Sequence, residues 1–364
     1  MAGLLYRPDM DEVRARLAAW WGGADWGRPM LLVSVPAEHP AEDPGLPPVL
    51  PRPAGWVTDY STSDYGYRVN IARRACVGRD CLYEQVPVVS PDLAPNCLAL
   101  FLGCEGVEMP GTVWCEPFLS GENPPVPEFR FDAGNKYWAF SSRLCQELRH
   151  WGEGRWMQQF PDLIEGLDTL AAIRGTEELL VDLLERPEWV KACLRQITTL
   201  YFDYYDRFYD WIKDETGGSV FWCWAPGRMA KFQCDFSAMI SPAMYDEFMM
   251  PVMREMTSRV DHCMYHLDGP GAIAHVDLLV SLPDLDMIQW ISGSGVENSA
   301  DKRWWPLLHT IVDAGKKVMI GIHSTDELLA LRREFGAKLN RFLIGCSYPM
   351  TRAEADGLAA LLER

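Results

Sequence analysis

The chain has 364 residues, 48% of them apolar and 23% charged, a balance that excludes large-scale disorder and supplies a sizeable core without disulfide staples. Acidic residues outnumber basic ones 51 to 34, a net charge of −17, which argues against nucleic acid or an anionic membrane as a partner because both need clustered Lys and Arg. No run approaches the roughly 20 apolar residues of a membrane span.

The opening, MAGLLYRPDMDEVRARL, carries acids and arginines where a secretory leader would have an apolar core, so a cytoplasmic location is expected. The 11 cysteines include no C-x-x-C pair, and in a reducing compartment most read as buried thiols. A helix is expected from Pro8 to Trp21, then an apolar run at Met30–Val35. Five prolines between Pro44 and Pro53 mark a loop or an extended left-handed stretch. Residues 1–85 thus read as an irregular N-terminal extension with a helix and a proline-rich loop, packed on a barrel formed by 86–364.

From Val86 short β-type runs alternate with longer helical ones. VPVVSPDL reads as a strand ending in a loop, and Asp132–Gly152 as a helix. Residues 176–215 read as two helices broken at Pro187. GSVFWCWAP is an expected strand. The next helix is expected to start with Ser241 as N-cap and Pro242 at its first position. The runs CMYHLDGPG, LDMIQWISGSG, KKVMIGIH and RFLIGCSYP read as strands entering loops, with helices between and after them. Strand, polar loop and helix at this spacing indicate parallel α/β structure. The number of repeats fits a (β/α)8 TIM barrel. An open doubly wound sheet is the alternative, although no G-x-G-x-x-G follows a strand.

In a barrel, reactive groups sit at the C-terminal ends of strands. That rule selects Asp92, then Trp222, Cys223 and Trp224, then Cys234 and Asp235 in the loop after a strand. It continues with His266 and Asp268, Gln289 and Trp290, His323, and Cys346. His266 and Asp268 are two apart on an extended segment, so they share a side. With Cys346 they offer imidazole, carboxylate and thiolate, a set that suits zinc with a fourth position open. The competing reading is a hydrogen-bonded His, a capping Asp and a buried Cys. His323 and Cys234 are further ligand candidates, each read more readily as a core residue. Trp222, Trp224 and Trp290 read either as core or as a cage for a methylated ammonium. Arg228 pairs either a substrate carboxylate or a surface acid. The turns at Gly269–Gly271 and Ser292–Gly295 read as tight βα turns or as anion cradles.

At these residues the chain resembles the uroporphyrinogen decarboxylase superfamily. Val88–Leu93 is similar to that family's F-S-D-I motif, and Leu102-Gly103-Cys104-Glu105 to its L-G-M-E. Leu343-Ile344-Gly345-Cys346 falls where decarboxylases have G-H. Their early arginine motif, M-R-Q-A-G-R, is missing. Tyr265-His266-Leu267-Asp268-Gly269 is nearer the H-x-C zinc motif of the cobamide-dependent methyltransferases, with Asp268 in place of the first Cys and Cys346 as the distant one.

The resemblance implies a (β/α)8 fold and a zinc-dependent methyltransferase. Such an enzyme moves a methyl group between a small methylated compound or thiol and a separate corrinoid (cobamide, cobalamin) protein. It implies zinc on His266, Asp268 and Cys346, with Asp92 and His266 catalytic. Substrate would lie against Trp222, Trp224, Arg228, Tyr265, Gln289 and Trp290. A homodimer is a further expectation. The alternatives are a metal-free decarboxylase-like lyase working through Asp92, and a non-catalytic binder of a tetrapyrrole or other small ligand.

Overall fold

The computed structural model describes residues 3–51, 64–93, 95–109 and 112–363. Pro53, the end of the proline-rich run, lies outside them. In chain order the strands are β1 (Met30–Pro36), β2 (Arg79–Tyr83), β3 (Val88–Val89), β4 (Glu105–Met109), β5 (Thr112–Glu116), β6 (Met157–Gln158) and β7 (Ser219–Phe221). They continue with β8 (Cys223–Ala225), β9 (Met229–Gln233), β10 (His262–Asp268), β11 (Met287–Ile291), β12 (Lys317–Ile322) and β13 (Phe342–Cys346). Seven of them form one sheet in the order β2-β1-β13-β12-β11-β10-β9, parallel throughout except at β1–β2. A second, shorter arc pairs β3 with β6 in parallel and continues through a parallel bridge from Gln159 to Val220. The two arcs give a TIM-barrel-like α/β architecture, in which strand hydrogen bonding does not run unbroken round a ring among the described residues.

The expected boundary at residue 85 does not divide the sheet from an extension. Met30–Pro36 pairs with β13 from Met30↔Leu343 to Leu32↔Gly345, and β2 adds an antiparallel edge. The seven consecutive residues of β1 are mostly buried, as a parallel strand covered on both faces must be. The described start of the proline-rich connection is anchored at Asp43. The carboxylate of Asp43 is fully buried and accepts from Tyr6 Oη at 2.7 Å, Arg73 Nη2 at 2.6 Å and Arg155 Nε at 3.1 Å.

The helices start where local chemistry dictates. Ser241 Oγ accepts from Met244 N at 3.2 Å and Pro242 takes the first position of the helix Pro242–Thr257. Pro187 opens the long helix Pro187–Ile212 after a break at Arg186. No helix among the described residues is long and apolar enough to cross a membrane.

Strand parity decides what reaches the interior. Tyr265 on β10 bonds Tyr245 of the helix Pro242–Thr257, Oη to Oη at 2.9 Å, and Trp290 on β11 packs edge-on against Trp304 at 5.0 Å. These residues face the helix layer. Their neighbours His266 and Gln289 therefore face the barrel axis. The register carries that inner face sideways: Gln233↔His266↔Gln289↔Met319↔Leu343 form one layer, with Lys231↔Met264↔Met287 below it.

Candidate active site

At the C-terminal rim the inner face converges on Asp235, His266 and Asp268, whose ligating atoms all lie within 4.8 Å of one another. His266 and Asp268 come from the end of β10, and Asp235 from the first turn after β9. Gln289 Oε1 lies 2.5 Å from His266 Nδ1. An amide oxygen only accepts, so Nδ1 carries the proton and Nε2 keeps its lone pair for a cation.

Below the rim runs a polar chain. Asp162 Oδ1 accepts from Lys231 Nζ at 2.5 Å, Lys231 also donates to Gln233 Oε1, and Gln233 Nε2 donates to Asp235 Oδ2 at 3.1 Å. The ammonium of Lys231 is almost fully buried, and its partner Asp162 is about a quarter exposed (26%). Two more carboxyls brace the end of β9. Glu165 Oε1 accepts from Gln233 N at 2.7 Å, and Asp168 accepts from Asp235 N and Phe236 N, both at 2.8 Å. Burial pushes Glu165 well above the carboxylate range and Asp168 up to about 6. It also raises Asp235, against the pull of nearby His266 and Lys231.

Asp92 joins the site from the β3 loop. Its Oδ1 accepts from Asp162 N at 2.6 Å. Burial, then the neighbouring Asp162 charge, lift its carboxyl from 3.8 to about 6. Trp222 stands between β7 and β8 with φ +56°, a left-handed conformation that costs a non-glycine residue about 1 kcal/mol or more. Its N–H donates to Gln159 Oε1 at 3.3 Å, and its indole meets His266 edge-on at 5.6 Å. The strained turn thus supplies an aromatic wall beside the imidazole.

The structure therefore brings together Asp92, Trp222, His266, Asp268 and Gln289 of the expected set. It separates the others, each for a physical reason. Cys346 pairs with Ile322, whose buried side shares its parity with Ile320 and Ile344, so the thiol faces the helix layer. It packs on the core, and burial raises it to about 12. Cys234 lies between inward Gln233 and Asp235, faces outward and is buried. Trp224 is carried back by the β7–β8 hairpin and bonds Asp214 through Nε1 at 2.9 Å. Arg228 precedes β9, at the opposite end of the barrel, and pairs with Asp206 over the Tyr205 and Tyr209 rings. Tyr265 and Trp290 point into the helix layer as described. His323 is exposed, and its backbone N–H donates to Glu327 Oε2 at 2.7 Å. An ideal Cβ on Gly293 would come within 3.9 Å of Asp268 Oδ1, so the glycine turns flank a carboxylate rather than an anion cradle.

Sequence reasoning missed Lys231, Gln233, Asp162 and Gln159, and named Asp235 without a role. The signal was available for three of them. Lys231, Gln233 and Asp235 recur at a spacing of two, the spacing by which His266 and Asp268 were paired.

The donor set fits a divalent metal. Bonds of about 2.1 Å hold adjacent donors about 3.4 Å apart in a tetrahedral site. The three side chains would have to close by little more than an ångström to reach that, and a hydrogen-bonded imidazole is already oriented for it.

No family model matches the sequence, and no curated protein matches it. Twelve solved chains match it in structure. Among them is a methyltransferase from Methanosarcina mazei, with a TM-score of 0.58 at 12% identity, covering 96% of this chain and 98% of that one. At that identity the likeness concerns the fold.

Proposed function

We propose that the chain is a metal-dependent methyltransferase that moves a methyl group between a small methylated compound and a corrinoid carried by a separate protein. The observation that carries this reading is the convergence of Asp235, His266 and Asp268 at the barrel rim, with Gln289 fixing the imidazole. The fold likeness to a methyltransferase supports it, as does the resemblance of Tyr265–Gly269 to the zinc motif of cobamide-dependent enzymes. Asp235, His266 and Asp268 would hold zinc or another divalent ion, and Cys346 would not. The metal supplies Lewis acidity toward the atom that gives up or receives the methyl group.

The protein's own groups do the rest. Gln289 keeps the imidazole proton on Nδ1. Trp222 walls the site and excludes water from one side. Lys231 holds Asp162, and through Gln233 it orients Asp235. Asp92, titrating at about 6, takes or gives a proton near neutral pH.

The test is spectrophotometric. With a divalent metal and a panel of methylated compounds, the chain should convert cob(I)alamin to methylcobalamin, and a chelator should stop it. Conversion that persists after chelation, or none with any donor, would remove the reading. A metal-free lyase centred on Asp92 is the second reading. It is favoured by Asp92, whose Oδ1 accepts from Asp162 N and whose carboxyl is raised by burial and by the Asp162 charge, and it predicts activity that survives metal removal and is lost in Asp92→Asn.

A further inference from the structure

The donors at the rim are two carboxylates and one imidazole, with no sulfur among them. Cys234 and Cys263, the cysteines nearest the donors in sequence, and Cys346 on β13 lie at positions whose parity turns them outward; the first two are buried in the core and Cys346 packs, partly buried, against it. No thiolate of this chain is therefore aimed at the site to soften a bound ion. Two carboxylate oxygens and an imidazole leave a divalent ion hard and strongly Lewis acidic, with a preference for oxygen in its open positions. The surroundings point the same way. Lys231 fixes a positive charge inside the barrel, 5.8 Å from the centre of the Trp222 ring, and that ring lies 5.6 Å from His266. The flat apolar wall beside the donors suits an oxygen carried on an apolar body.

We infer that the site takes an oxygen-donor substrate, a phenolate or alkoxide, in preference to a thiolate. This rests on the metal-dependent reading above and narrows it to one substrate class.

The test loads the purified full chain with Co2+ and follows the visible cobalt bands during titration with phenol, methanol or 2-mercaptoethanol. The inference expects phenol or methanol to shift the bands. It expects 2-mercaptoethanol to produce no thiolate-to-cobalt charge-transfer band, even at about tenfold higher concentration. A thiolate band at equal or lower concentration than the oxygen ligands require overturns the inference and leaves metal binding intact. Bound cobalt that responds to none of the three probes also overturns it. Failure to bind Co2+ at all overturns the metal reading itself, and this inference with it.

Discussion

Asp92→Asn should stabilise the folded chain at neutral pH while removing function. The Asp92 carboxyl titrates at about 6 in the folded protein against the usual 3.8. A raised carboxyl makes the folded state bind the proton more tightly than the unfolded chain does. Stability is therefore lost as pH rises between these two values, and the full cost is present above about 6. That displacement corresponds to about 3 kcal/mol at most. Asparagine keeps an acceptor for the Asp162 N–H, now at 2.6 Å, but gives up the attraction of Arg68, so a net gain of about 1–2 kcal/mol is expected. Urea unfolding of both proteins at about pH 7.5 and about pH 4 measures it. The variant should be more stable at the higher pH, and the difference should shrink to about 0.5 kcal/mol or less at the lower. A variant that is less stable at pH 7.5, or a difference that does not depend on pH, would refute the argument that Asp92 is held against its solvation preference.

Lys231→Met removes the cation paired with Asp162 and should cost about 2–4 kcal/mol, less than a fully buried pair because Asp162 is 26% exposed. Lys231 lowers Glu165 and Asp235 in the folded protein, so its loss raises both, and the deficit should shrink as pH falls. Thermal unfolding across pH reads this, and a pH-independent loss would contradict it. Trp290→Ala should cost about 3–5 kcal/mol by emptying a fully buried site against Trp304, with metal affinity unchanged once the variant is folded. Tyr245→Phe should cost about 1 kcal/mol through the lost bond to Tyr265, again with no effect on metal binding by calorimetric titration.

The α/β alternation was legible because helix starts and strand runs are local. Ser241-Pro242 and Pro187 act within their own turn, and the structure uses them as expected. Of the site, the pair His266 and Asp268 was legible from spacing on one strand. What sequence could not carry was the relation between strands. Whether Cys346 shares a face with His266 depends on register across β11 and β12, and the register puts it on the other face. The GSVFWCW run reads as one strand, yet a left-handed Trp222 folds it into a hairpin and sends Trp224 to the far end. Lys231 and Asp162 lie 69 residues apart, and nothing local marks either as a partner of the other. The strand Met30–Pro36 was read only as an apolar run, because its partner β13 lies at the other end of the chain.

Metal content and affinity of the wild-type chain, Cys346→Ser, and the double variant Asp235→Asn with His266→Ala test the central claim most directly, by mass spectrometry after dialysis against Zn2+. The expected result is about one metal per chain in the wild type and in Cys346→Ser, and none in the double variant, whose fold is checked by circular dichroism. Metal lost in Cys346→Ser and kept in the double variant would contradict the assignment of the site to Asp235, His266 and Asp268.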